Sequence, residues 1–204
     1  ADEASHILVG GEGGIRLVPR EALQLIAHES WDETRRLFTV DGDAPGVVIA
    51  EGDAAHALAE HLKKQLCLML AADSLGGADA ILTLTIDYLN MRKQFDRPLA
   101  MFQALKHRVA DMKVNLAAAE ALLWSRARDP HATLAQMGAL KAHACRTYAD
   151  IAEEAVQLHG GIGLTSEHHC HLFLKRAMLN AALGGDADYW EEIAGRQLLA
   201  DHAG

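Results

Sequence analysis

The sequence predicts a mainly α chain: an antiparallel bundle of four main helices plus a C-terminal helix, preceded by a small N-terminal β piece. Three observations carry this reading. From Ala54 onward Ala and Leu dominate, and apolar residues recur three and four positions apart, the spacing of one helical face. The helical stretches are long and joined by short breaks, which favours antiparallel neighbours. Residues 1–53 instead show short apolar, β-branched bursts punctuated by Gly, Pro and Asp. The expected domains are therefore 1–53 and 54–204.

Strands are expected at 6–10, 14–18, 22–26, 35–40 and 46–50, separated by Gly10-Gly11, Gly13-Gly14, Pro19 and the run 41-DGDAPG-46. Strands this short need something to pack on. A first helix is expected over about 54–94 and a second over about 99–127, with Phe102, Leu105, Val109, Met112, Leu116 and Leu123 on one side. Asp129-Pro130 breaks the chain. The third, about 132–159, aligns Met137, Leu140, Ala144, Tyr148, Ile151, Ala155 and Leu158, and Gly160-Gly161 stops it. A fourth is expected over about 166–182, capped by Thr165 or Ser166, and a fifth over about 187–201.

The chain has 204 residues and a formal net charge of −9, with a pI near 5.7. That acidity argues against a nucleic-acid partner, which calls for a basic patch. The three cysteines, Cys67, Cys145 and Cys170, are odd in number and match no zinc spacing, so reduced thiols and a cytoplasmic location are expected. No basic region followed by an apolar run marks a signal peptide, and no apolar run approaches the roughly 18 residues of a membrane span. No membrane partner is therefore expected.

The stretch 157-QLHGGIGLTSEHHCHLFLKR-176 concentrates four of the 12 histidines and one cysteine. On a helix His168 and His171 would share a face, while His169 and Cys170 would point elsewhere. Two histidines do not supply the four ligands of a structural zinc site, so no metal is expected.

Three pieces of the chain settle its relationship. They are Arg92, Gln94, Phe95, Asp96 and Pro98; then Phe102-Gln103 followed by 109-VADM-112; then Gln157, His159, Gly160, Gly161, Gly163, Thr165 and Glu167. In that order and spacing they resemble the acyl-CoA dehydrogenase family, whose pattern reads R-x-Q-F-G-x-P, F-Q, L-A-D-M and Q-x-H-G-G-x-G-x-T-x-E. Asp96 replaces a glycine. The resemblance covers about residues 32–202 and implies a five-stranded part of the family's middle β-domain followed by its C-terminal bundle. The N-terminal helical domain and the first half of the β-domain are expected to be absent.

The resemblance implies FAD-dependent α,β-dehydrogenation of an acyl-CoA thioester, with a glutamate removing the α-proton and electrons passing to an electron-transfer flavoprotein. In most members that glutamate precedes the G-T of a C-terminal E-G-T-x-x-I motif. Here the matching position is Gly184, or Gly185 one register later. Some members place it on the first bundle helix, where this chain has Leu66, or Gln65 within one residue. The catalytic set is therefore expected to be empty, with Glu60, Asp73, Asp186 and Asp188 as substitutes to consider.

The family also sends residues across a subunit interface to a neighbour's FAD. Arg92, Gln94, Phe95, Gln103, Gln157, Gly160 and Gly161 match those positions. An arginine suits a pyrophosphate, and adjacent glycines let backbone approach a dinucleotide. The resemblance thus implies a non-catalytic subunit, or part of one, that completes a partner's FAD site in a dimer or dimer of dimers. Family members of this heteromeric kind act on bulky acyl groups such as steroid side chains; fatty-acid catabolism is the wider setting. A self-sufficient enzyme with a displaced base and a flavin-free scaffolding module are the alternatives.

Overall fold

A computed structural model describes residues 2–11, 13–41 and 44–203. It contains strands β1 (His6–Gly11), β2 (Gly14–Pro19), β3 (Gln24–His28), β4 (Leu37–Asp41) and β5 (Val47–Ala50). Helix α1 (Gly52–Met91) follows, then a miniature hairpin of β6 (Lys93–Gln94) and β7 (Arg97–Pro98). Helices α2 (Gln103–Ala127), α3 (Leu134–His159), α4 (Cys170–Ala182) and α5 (Ala187–Asp201) complete the chain. Two compact units divide it, 1–63 and 64–204, so the division falls within α1.

In the first unit the strands form two antiparallel sheets, β1-β2-β5 and β3-β4, where a five-stranded piece is expected from the sequence. Val18, Leu23 and Ala44 make its small core, with Ile7 and Val9 packed against it. Gly14 sits at φ +106°, and a Cβ there would lie 2.3 Å from the Ala50 carbonyl oxygen, so only glycine fits where β2 meets β5. Strands β3 and β4 begin two residues later than their sequence spans for local reasons. A 3-10 turn takes up Arg20–Ala22 after Pro19. The Asp32 carboxylate accepts from the Thr34 backbone and hydroxyl, which holds the preceding turn. Gly42 and Asp43 of the expected 41–46 turn lie outside the described residues.

In the second unit α3 is the central helix, packing on α2, α4 and α5. All seven positions of its expected stripe, Met137 through Leu158, are buried. Six of them, Leu140 through Leu158, share a core cluster with Leu75, Ile81, Leu82 and Leu89 of α1, Met112 and Leu116 of α2, and Ala177 of α4. Gly77 of α1 lets the backbone come down on Tyr148, since a Cβ there would lie 2.5 Å from the ring's Cζ. Helix α5 docks through buried Trp190, set against Cys67, Met137 and Ala142.

Thr133 caps α3 through a capping box with Gln136. Helix α2 starts at Gln103 because Leu99–Met101 form a 3-10 turn after Pro98. Helix α4 starts at Cys170, and neither Thr165 nor Ser166 caps it. Thr165 instead donates its hydroxyl back to the Ile162 carbonyl, closing the 3-10 turn Gly160–Leu164. Against the sequence expectation, α1 contains an 18-residue window with mean hydropathy 1.4, long and apolar enough for a membrane span by composition. Much of that helix's apolar surface is instead committed to the bundle core.

Candidate functional site

The end of α1 leads into a tight reversal. Arg92 follows the helix, its carbonyl accepts from the Leu99 N–H at 2.8 Å, and Lys93 and Gln94 pair with Pro98 and Arg97. The two turn residues, Phe95 and Asp96, have φ of 52° and 61°. Two successive left-handed residues are what a two-residue hairpin turn requires. The turn thrusts Phe95 outward, leaving it 85% exposed. Arg97 lies over the Phe102 ring at 4.1 Å, and the Phe95 and Phe102 rings meet edge-on at 6.1 Å. Arg92, Gln94 and Gln103 are exposed, and among the described residues no carboxylate pairs with Arg92.

One turn before Arg92, Tyr88 ties this reversal to the end of α3. Its ring stacks on His159 at 4.4 Å, and its hydroxyl donates to the His159 carbonyl at 3.2 Å. Gly160 and Gly161 therefore share one end of the unit with the hairpin. Gly160 has φ +65°, and a Cβ built at either glycine meets nothing within 4 Å. Backbone there is open to an approaching group. Gln157 is exposed one turn back along α3.

Beneath the glycine turn, His159 is 3% exposed. Its Nδ1–H donates to the Ala155 carbonyl at 2.8 Å, which leaves Nε2 as a bare lone pair, buried and without a hydrogen-bond partner among the described residues. Burial lowers its pKa, and neighbouring His168 adds to that. The His159 and His168 rings lie 4.4 Å apart. Buried Cys170 completes the group, its thiol pushed up by burial to about 11. Ligand atoms of His159, His168 and Cys170 lie within 4.8 Å of one another. Local spacing pairs His168 with His171; the fold pairs it with a residue nine positions back, while the His171 ring bonds the His168 carbonyl.

The expected base position is at the far end of α4. Gly184 and Gly185 have φ of 68° and 97°. Trp190 Nε1–H donates to the Gly184 carbonyl at 3.0 Å. Fully buried Lys141 donates from Nζ to the Ala181 and Gly185 carbonyls at 2.8 and 2.6 Å. Burial lowers the Lys141 pKa. A Cβ at Gly184 would lie 3.1 Å from Leu66 Cδ2 and 3.4 Å from Leu70 Cδ1. Carbon thus faces this position from α1, and Gln65 beside Leu66 is exposed.

Two of the four substitute acids are held in structural bonds, and the other two are exposed. Asp186 caps α5, accepting from the Tyr189 N–H at 2.9 Å. Asp73 accepts from Asn180 Nδ2 at 2.7 Å and pairs with Arg176 at 3.5 Å. Asp188 is exposed in the first turn of α5, and Glu60 is exposed on the stretch of α1 in the first unit. Sequence reading passed over Lys141 and Asn180; the available signal was a polar residue on an otherwise apolar helical face.

Residues 64–199 match the family described as "Acyl-CoA dehydrogenase, C-terminal domain". The chain belongs to the acyl-CoA dehydrogenase family. Acyl-CoA dehydrogenase IpdE2 of Mycobacterium tuberculosis is 36% identical over 182 residues, which is 89% of this chain and 54% of that protein. The solved structure of the Tcur3481-Tcur3483 steroid ACAD superposes with TM-score 0.85 and 26% identity, covering 98% of this chain and 57% of the other. Butyryl-CoA dehydrogenase from Megasphaera elsdenii gives TM-score 0.86 at 22% identity, over 98% and 57%, a likeness of fold. This acyl-CoA dehydrogenase chain spans about half the length of the curated relatives it matches.

The exposed Arg92 and the open Gly160-Gly161 backbone suit the anionic, dinucleotide portion of the family's flavin. Gly184, faced by leucines, does not suit proton abstraction. The two places stand roughly 40 Å apart along α1, at about 1.5 Å of rise per residue.

Proposed function

We propose that this chain is a non-catalytic acyl-CoA dehydrogenase subunit, or part of one, that completes the FAD site of a partner chain. One observation carries the reading: what the chain retains and what it lacks lie about 40 Å apart along α1, at about 1.5 Å of rise per residue. Arg92, Gln94, Phe95, Gln103, Gln157, Gly160 and Gly161 gather at the C-terminal end of α1, and the carbon-faced Gly184 position lies back along the helix against Leu66 and Leu70. A flavin held at the C-terminal end is thus not the flavin a base at Gly184 would serve.

In this reading FAD, when bound, supplies the hydride acceptor for dehydrogenation of an acyl-CoA thioester. Arg92 makes a charge-assisted contact to the pyrophosphate. Gly160 and Gly161 admit it close to backbone N–H groups. Phe95 covers apolar surface beside it. The α-proton passes to a carboxylate of the partner. The likeness to a steroid ACAD supports a bulky acyl group, the family supports an electron-transfer flavoprotein as acceptor, and the three free cysteines support a cytoplasmic location. The commitment of Asp186 and Asp73 to structural bonds weighs against a displaced base.

The test is flavin retention. Purified alone with excess FAD and desalted, the chain is expected to emerge colourless. Mixed with an acyl-CoA dehydrogenase chain that has its own glutamate, it should retain flavin, and Arg92→Ala should weaken retention at least about tenfold. One FAD per chain on the isolated protein would overturn the reading; no flavin in any mixture would favour a scaffolding module.

A further inference from the structure

We propose that His159, His168 and Cys170 form a binding site for one borderline-soft transition ion of the Zn2+ type. The site does not depend on the flavin reading, and it uses residues that reading leaves aside.

The donor set is two imidazoles and one thiolate, the nitrogen and sulfur chemistry that selects zinc-like ions over magnesium or calcium. The ligand atoms already lie within 4.8 Å of one another. Tetrahedral zinc with ordinary Zn–N and Zn–S bonds places its ligands about 3.3–3.6 Å apart, so closure takes about an ångström of side-chain rotation.

The surroundings of His159 match those of a metal-bound histidine. Such a residue donates its other ring N–H to a carbonyl or carboxylate, which fixes the tautomer and aims the free nitrogen at the ion. His159 does this with Ala155, and stacked Tyr88 fixes the ring plane. The nitrogen left over is 97% buried with its residue and has no partner among the described residues. A buried, unpaired acceptor is costly, and in a native fold it calls for an explanation. An ion supplies one.

His168 gives up little to join. Its Nδ1 accepts from the Cys170 N–H at 3.3 Å, a long bond, and coordination through either nitrogen costs only that contact. His168 is half-buried, so solvent can fill the fourth position. Three protein ligands with one open position is an established zinc arrangement. The ion would pin the end of α3 to the start of α4 across the loop that carries Gly160 and Gly161.

The full chain should be stripped with chelator, then titrated with Zn2+ against a competing chromophoric chelator, and separately with Co2+. The expected result is one ion per chain. The Co2+ form should show visible bands of a tetrahedral ion and a near-ultraviolet thiolate charge-transfer band. His168→Ala should weaken binding by more than about 10–100-fold, the loss that removing even an outer-shell partner causes. Cys170→Ser should abolish the charge-transfer band, and His169→Ala, outside the cluster, should change neither. Circular dichroism and urea melts establish that each variant is folded. Should Cys170→Ser fail to fold, the parent's charge-transfer band and His168→Ala decide the matter. No stoichiometric ion overturns the proposal. So does binding unchanged in folded His168→Ala, or weakened equally by His169→Ala, which would assign the ion to the exposed histidine run.

Discussion

Leu66 of α1 and Gly184 after α4 face each other so closely that a single added carbon at Gly184 would lie 3.1 Å from Leu66 Cδ2. Within one residue, these are the two positions at which the family resemblance implies a base. The fold brings them to one spot, so either position would aim a carboxylate into the same space. In this chain both are without an acid.

The asymmetry between the two positions gives a first prediction. Gly184 is at φ 68°, a conformation that costs a residue with a Cβ roughly 1–2 kcal/mol, and the added carbon also presses on Leu66. Leu66 is in a regular helix and 40% exposed. Gly184→Glu should therefore lower the urea midpoint clearly, while Leu66→Glu should be close to neutral. Equal losses in the two variants would mean that backbone conformation is not what keeps glycine at 184.

Lys141 explains how the turn around Gly184 is held. Its ammonium is buried, with the Ala181 and Gly185 carbonyls as acceptors. Lys141→Ala leaves two carbonyls without donors and opens a cavity, each mechanism costing about 1–3 kcal/mol. A total loss of about 2–5 kcal/mol is expected in denaturant melts. Loss below about 1 kcal/mol would show that water replaces the ammonium without penalty.

Trp190 seats α5 on α3 at Gly138, where a Cβ would lie 2.0 Å from the indole Cε3. Gly138→Ala must push the indole or the helix away, at a cost of about 1–3 kcal/mol. Limited proteolysis should then cut near 183–187 faster than in the parent, because α5 has lost its anchor. An unchanged digestion pattern would mean that α5 docks by other contacts.

The thiols give a prediction on pH. Cys67 is 2% exposed, and burial, opposed by Lys141, raises its pKa from 9.0 to about 11. Folded chain then holds a proton that unfolded chain has released. A raised pKa contributes stability that is complete below about pH 9 and is lost as pH climbs to about 11. The stability advantage of the parent over Cys67→Ala should accordingly narrow across that window. Cys67, Cys145 and Cys170 are all buried, so thiol reagents should label them slowly at neutral pH and quickly in urea.

The bundle was legible because its signal is local and repetitive. The α3 stripe from Met137 to Leu158 reads at three and four residues, and each member is in the core. The base position narrowed only to Gly184 or Gly185, because alignment from Ile193–Arg196 and alignment from Arg176 differ by one register. What stayed hidden depends on partners distant in sequence. Tyr88 and His159 are 71 residues apart, and their stacking and hydrogen bond place the glycine turn beside the Arg92 hairpin. Lys141 sits between Leu140 and Ala142, and its carbonyl partners, Ala181 of α4 and Gly185 in the connection to α5, are some 40 residues on. His159 joins His168 because a 3-10 turn folds the intervening loop back, which no histidine spacing reveals.

The hairpin was missed for a different reason, and it supports the last prediction. Expecting α1 to continue to 94 was reasonable, since Phe95-Asp96 lacks the glycine that normally marks a two-residue turn. The backbone nonetheless takes φ of 52° and 61° there, so the family's glycine at position 96 is explained by the left-handed conformation it must adopt. Asp is among the side chains that tolerate that region best, which is how the turn survives the replacement. Asp96→Gly should relieve the strain and stabilise the chain by up to about 1 kcal/mol, partly offset by the entropy glycine adds to the unfolded state. Asp96→Val should cost about 1–2 kcal/mol, since a β-branched residue is poorly accommodated at positive φ. The hairpin carries Arg92 and Gln94, so Asp96→Val should also weaken flavin retention in the mixed complex while Asp96→Gly preserves it. Weaker retention in both variants would assign the Asp96 carboxylate itself, not the turn it occupies, a part in binding.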